Sequence, residues 1–193
     1  MYSCIVDADY INTAEFCTGR KEPAFKSDFS SALTHLDEKL SSFQPETKLQ
    51  KGRSEIQRQV YKNAKEAGEI NLINMPTGSG KTLCSTKAAM ETLMRTGKKR
   101  IIYIIPYNSV IDQTAEVFEE IFGDDVTILR HQSTYSVTEE EDGSLKENAL
   151  ENWNAPFIIT TAAQFFDSVC GNKKKSLRKL HNMEDSILVF DEI

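Results

Sequence analysis

The fold class this sequence predicts is α/β, a parallel, doubly wound sheet with helices on both faces, and three observations lead to it. Apolar runs without polar alternation recur at Ile70 to Ile73, Ile101 to Ile105, Val126 to Leu129, Phe157 to Ile159 and Ile187 to Phe190, the pattern of strands covered on both sides. Helical spacing separates them, as in Val110, Thr114, Val117, Phe118, Ile121 and Phe122. The polar residues with chemical capacity follow directly on those runs, at the carboxyl ends of strands where open α/β sheets take ligands.

Size and charge bound the possibilities. At 193 residues the chain is long enough for one well-packed domain with an appendage. Its net charge of -6 gives no global attraction to nucleic acid, so any such binding rests on local geometry and clustered charge. Cys4, Cys17, Cys84 and Cys170 are scattered without a C-x-x-C pair and read as free thiols of a reducing compartment. No signal-like apolar core and no membrane-length run is found, so a cytoplasmic location is expected, with no membrane partner.

In chain order, the first twenty residues centre on Cys4-Ile5-Val6-Asp7-Ala8-Asp9-Tyr10-Ile11. A buried-looking segment beginning almost at Met1 does not read as the start of a domain. Acids within an apolar stretch cost free energy unless they bind something, which leaves a surface helix and a metal-ligand remnant as alternatives. From Gly19 to Lys51 the chain is polar and punctuated by Pro23 and Pro45, and Phe29, Leu33, Leu36, Leu40 and Phe43 recur at helical spacing, a helix laid on a neighbouring surface and read as a connector. The helix start Lys51 to Tyr61 follows. Gln57, about twenty residues ahead of the next motif, carries an amide that donates and accepts at once, which suits the edge of an adenine.

Asn74 to Thr82 then reads Asn-Met-Pro-Thr-Gly-Ser-Gly-Lys-Thr between an apolar run and a helical segment carrying Leu83, Met90, Leu93 and Met94. This is the strand, glycine-rich loop and helix order of a phosphate-binding loop, with Met75 in place of the first glycine of G-x-x-x-x-G-K-[ST]. Thr77, Gly78, Ser79 and Gly80 form the turn, whose glycines let backbone N–H groups approach phosphate oxygens. A helix N-terminus adds a partial positive charge. Lys81 supplies a full charge to the terminal phosphates and Thr82 a hydroxyl for Mg²⁺.

Three strand ends complete the set. Pro106, Tyr107, Asn108 and Ser109 follow the second run, with Gln113 a turn later, and Thr160, Thr161 and Gln164 follow the fourth. Short hydroxyl and amide groups there either hold a nucleic-acid phosphate backbone or act as plain helix caps. The last run ends in Phe190-Asp191-Glu192-Ile193, where the first carboxylate can hold Mg²⁺ and the second orient an attacking water. Glu139 to Gly143 reads as a solvated loop. The cluster Lys173, Lys174, Lys175, Arg178 and Lys179 reads as a solvated face or a nucleic-acid contact.

Taken together, Gln57, Pro76 to Thr82, Pro106 to Ser109, Thr160 to Gln164 and Val189 to Glu192 resemble, in order, the Q motif and motifs I, Ia, Ib and II of a superfamily 2, DEAD/DEAH-like helicase. The resemblance implies a RecA-like P-loop NTPase lobe over 51–193, using ATP and Mg²⁺. The segment ending in Ala8-Asp9 is similar to the last metal-binding helix of HD-type nuclease domains, which makes Asp9, rather than Asp7, the implied metal ligand, 1–20 a nuclease remnant and 21–50 a helical linker. Joined in this order, the two parts look like the CRISPR-associated helicase-nuclease of type I systems. That family implies a single-stranded DNA partner, an RNA-guided surveillance complex and a divalent metal at the nuclease site of the full-length protein. The chain departs from the family pattern by lacking the His-Asp dipeptide, and it ends one residue before the His or Gln that closes motif II, ahead of the second lobe with its arginine fingers. The expectation is an ATP-binding lobe that hydrolyses slowly and neither unwinds nor cuts alone. The alternative is an inert ATP-binding fragment of a disrupted gene. A GTPase is disfavoured because Asn172-Lys173-Lys174-Lys175 lacks the Asp of a guanine-reading motif, and a stand-alone nuclease because His35, His131 and His181 are too few for its metal site.

Overall fold

The fold, seen in a computed structural model, is described for residues 1–19, 24–43, 47–66, 68–131, 151–171 and 174–192. Strands β1 (Arg100–Ile105), β2 (Ile128–His131), β3 (Phe157–Thr161) and β4 (Ser186–Phe190) form one parallel sheet in the order β2-β3-β1-β4. β1 is bonded on both sides, Ile102 lying opposite Ile158 of β3 and Leu188 of β4, which suits its unbroken apolar sequence.

Alternate residues of β1 enter two cores. Ile101, Tyr103 and Ile105 join Phe157 and Ile159 beneath α2 (Phe29–Ser42), α4 (Lys81–Thr96) and α5 (Ile111–Phe122). Ile102 and Ile104 face the other way, against Ile158, Trp153 and Phe165 of α6 (Ala162–Cys170). The sheet is therefore doubly wound. Each large apolar side chain fully buried in these layers contributes about 1.5–3 kcal/mol.

The predicted stripe on α2 lies on this lobe itself. Phe29 and Leu36 are buried beside Met90 and Phe118, Leu33 and Leu40 pack at the margin, and Phe43 remains exposed. Asp28 caps the helix, its carboxylate accepting from Ser31 N–H at 3.0 Å. Ahead of it, Ser27 bridges Val126 antiparallel, and Thr127 N–H donates to Lys26 O at 2.9 Å. Val126 is thereby engaged outside the sheet, which moves the predicted strand over Val126 to Leu129 along to Ile128–His131. Pro23 and Pro45 lie outside the described residues.

The strand predicted over Ile70 to Ile73 is not formed. Residues 71–76 carry no regular structure, and Ile70 and Leu72 are 95% and 94% exposed. An apolar run becomes a strand only when a neighbour completes its hydrogen bonds. Among the described residues β4 is bonded on one side only, to β1, and the phosphate-loop segment reaches no ladder.

At the chain start, α1 (Tyr2–Thr18) packs on α7 (Lys174–Leu177) and α8 (Leu180–Met183). Asp7 is 3% exposed because it answers Arg178, whose Nε donates to its carboxylate at 2.8 Å. Asn152 lies 3.5 Å from the same carboxylate, and Arg178 also pairs with Glu151. The predicted basic face is thus partly internal. Arg178 is fully buried, and Lys179 is buried over the Trp153 ring at 4.8 Å, with Nζ 3.4 Å from Ser168 Oγ. Lys173, the side chains of Lys174 and Lys175, and the loop at Glu139 to Gly143 lie outside the described residues.

Candidate nucleotide site

Three elements converge on the glycine-rich loop. α3 (Lys48–Lys65) is started by a capping box in which Thr47 Oγ1 accepts from Gln50 N–H and Gln50 Oε1 accepts from Thr47 N–H. This fixes where its third turn points. Gln57 reaches from that turn to the loop, its amide donating to Ser79 O at 2.8 Å. One turn earlier, Arg53 lays its guanidinium 3.5 Å from where a Cβ on Gly78 would stand. Arg53 is a residue the motif reading missed; its helical spacing from Gln57 was the available signal.

The loop itself needs its glycines. Gly78 and Gly80 adopt φ of 72° and 80°, in the left-handed region, and a Cβ on Gly80 would come within 3.2 Å of Gln57 Nε2. Ser79 is turned inward and 1% exposed, its N–H and hydroxyl both donating to Pro76 O. Met75, in the position of the missing first glycine, is buried at 4%. α4 begins immediately after Gly80, and no side chain caps it. Its first internal hydrogen bond runs from Cys84 N–H to Gly80 O at 3.0 Å, so the N–H groups of Lys81, Thr82 and Leu83 stand at an uncapped helix start. That cradle suits an anion of the size of a phosphate chain.

Across the loop, the end of β4 brings Asp191 to Thr82, Thr82 Oγ1 lying 3.4 Å from Asp191 Oδ2. Asp191 N–H donates to Ile104 O at 2.8 Å, which carries the β1–β4 ladder one residue past the strand. Tyr103 donates to the same carboxylate oxygen at 2.8 Å. A hydroxyl and a carboxylate side by side at an anion cradle are hard oxygen ligands of the kind Mg²⁺ takes, so the residues present fit that ion. Glu192 follows with φ of 57°, costing about 1–3 kcal/mol for a non-glycine residue. It is exposed and turned out of the line of the strand.

The remaining predicted residues are placed unevenly. Pro106, Asn108 and Ser109 lie at the β1 end, the last two in a short 3-10 turn, with Tyr107 exposed beside them. Thr160 is fully buried within β3, and Thr161 uses its hydroxyl as the cap of α6, accepting from Gln164 N–H at 3.2 Å. Gln164 is half-buried. An apolar cleft of Ile105, Pro106, Phe166 and Phe190 lies next to Asp191 and Glu192. Asp9 is exposed on α1, and no group of three or more His, Cys, Asp or Glu residues among the described residues is arranged to hold a metal. No described helix is long and apolar enough to cross a membrane.

Comparison with known proteins gives the chain a family. A family model described as DEAD/DEAH box helicase matches residues 54–193. The CRISPR-associated nuclease/helicase Cas3 of Haloferax volcanii is 32% identical over 145 residues, covering 64% of this chain and 16% of that protein. The human U5 small nuclear ribonucleoprotein 200 kDa helicase is 25% identical over 103 residues, 51% of this chain and 5% of its own. The chain thus spans less than a fifth of the length of either relative.

Proposed function

Because this chain belongs to the DEAD/DEAH box helicase family, with a RecA-like lobe, we propose that it is the Mg-ATP-binding first lobe of a DNA translocase that serves an RNA-guided antiviral complex and is coupled to a single-strand nuclease. The observation that carries the nucleotide part is the convergence of Gln57, the Gly78 to Thr82 cradle and Asp191 on one strand-end crevice. Gln57 recognises the adenine, Thr77 to Lys81 cradle the phosphates, Thr82 and Asp191 hold Mg²⁺, and Glu192 orients the attacking water. Bound Mg²⁺ supplies neutralisation of the phosphate charge. Lys81 adds a second positive charge at the loop, and at about 4 Å under an intermediate dielectric that is worth roughly 4 kcal/mol before desolvation.

The DNA and nuclease parts rest on the family and on the Haloferax relative's name. A single strand runs over the β1 and β3 ends, past Pro106, Asn108, Ser109 and Gln164, with Thr160 and Thr161 contributing through their backbone. Asp9 serves only in a larger metal site, since no group of three or more metal-ligating side chains gathers among the described residues. Hydrolysis is slow wherever no arginine finger reaches the phosphates, since such a finger supplies about 10³–10⁵ in rate.

An inert fragment, which carries the phosphate loop without a competent site, is the second reading, and the exposure of Ile70 and Leu72 just ahead of the loop favours it. Calorimetric titration of Mg-ATP into the chain, beside Lys81→Ala, separates the two. Binding that the variant weakens by about tenfold or more, at least ~1.4 kcal/mol, establishes a competent lobe. A folded parent that does not bind leaves only the fragment.

A further inference from the structure

Tyr103 belongs to none of the motifs, yet it touches the centre of the site. β1 reads Arg-Ile-Ile-Tyr-Ile-Ile, an aliphatic strand with one polar-tipped ring in its middle. That ring is fully buried, held edge-on by Phe118 at 5.4 Å and stacked on Phe157 at 6.4 Å. A buried phenol requires a partner, and here it finds the carboxylate at the end of the neighbouring strand. Tyr103 Oη donates to Asp191 Oδ2 at 2.8 Å, Ser85 Oγ lies 3.2 Å from the phenol, and Thr82 Oγ1 approaches the same Asp191 oxygen at 3.4 Å.

We infer that Tyr103 is a positioning residue, which fixes the side-chain orientation of Asp191 so that the carboxylate meets a Mg²⁺ ion shared with Thr82. The backbone of Asp191 is already fixed by its N–H bond to Ile104 O, so what the phenol adds is the rotation of the carboxylate. Two hydroxyls engage the same oxygen, Oδ2, which sets the rotation of the carboxylate. Tyr103 touches neither the nucleotide nor the metal. It acts through Asp191, and the inference rests on the proposed Mg-ATP site.

The test is the gain in ATP affinity that Mg²⁺ confers, measured on the whole chain by calorimetry with excess Mg²⁺ and with EDTA. It compares the parent, Tyr103→Phe, Ser85→Ala and Asp191→Asn. Tyr103→Phe keeps the ring that packs on Phe118 and Phe157 and is expected to cut the Mg²⁺ gain about tenfold, the loss of one hydrogen bond to a charged group, while leaving affinity in EDTA within about twofold. A merely structural phenol would lower thermal stability, or both affinities together, and leave the Mg²⁺ gain intact; that result overturns the assignment. Ser85→Ala, which removes the phenol's second partner, is expected to cut the gain by about two- to threefold, and it carries the test should Tyr103→Phe fail to fold. If the parent shows no Mg²⁺ gain, or Asp191→Asn keeps it, the metal site fails and the role of Tyr103 falls with it.

Discussion

Single residues carry most of what can be tested by titration, and His131 is the clearest case. Trp153 Nε1 donates to His131 Nδ1 at 3.0 Å, an arrangement open only to the neutral ring. Burial, and then the charge of Lys179, push its pKa down to about 3 in the folded chain. The unfolded ring titrates near ~6.5, so between those values the unfolded state binds more protons, and stability is retained above about pH 6.5 and lost as pH falls, by at most ~1.4 kcal/mol per unit. Urea unfolding from pH 7 to 5 is expected to show that slope in the parent and to lose it in His131→Gln, whose amide oxygen can still accept from Trp153; equal slopes would mean another group titrates. The residues that sequence made legible, Gln57, Gly78, Gly80, Lys81, Thr82 and Asp191, are those whose chemistry is tied to a fixed spacing. Tyr103 was not legible, because it acts across a contact between segments far apart in the chain, and Arg53 was signalled only by its helical spacing from Gln57.

At the scale of elements, what sequence conceals is the surface on which an amphipathic helix lies. The α2 stripe is plain in the residues, but that Leu36 meets the sheet core rather than a neighbouring body follows only from where α4 and α5 stop. Leu36→Ala is therefore expected to cost about 2–5 kcal/mol in chemical denaturation, and Phe43→Ala, at the exposed end of the same stripe, under about 0.5 kcal/mol. Similar small losses at both positions would show that α2 is docked loosely. The acids of α1 follow the same logic. That an apolar helix carrying Asp7 needs a partner was legible; that the partner is Arg178, near the other end of the chain, was not. Strand order is likewise absent from local pattern, since β1 and β4 meet in a register whose partners lie 86 positions apart in the chain.

For the molecule as a whole, the decisive feature is the open β4 edge of the sheet, paired with nothing on its outer side among the described residues. β4 lies at the edge of the order β2-β3-β1-β4, with Leu188 42% exposed on it, while Ile70 and Leu72 stand almost wholly in solvent ahead of the phosphate loop. Burying one such side chain is worth about 1.5–3 kcal/mol, and an open edge offers a row of unpaired backbone groups to any second strand. Two copies that pair edge to edge would satisfy both needs at once. The chain is expected to self-associate with rising concentration in sedimentation velocity, and the double substitution Ile70→Lys with Leu72→Lys to suppress that association, because charge on an exposed run opposes strand addition. Mg-ATP affinity should change little, since Gln57, Gly80, Thr82 and Asp191 meet through other elements. Should the charged variant lose nucleotide binding while remaining folded, the run ahead of the loop must form a strand for the cradle to work, and the lobe would need a neighbouring strand beside it before it could hold ATP.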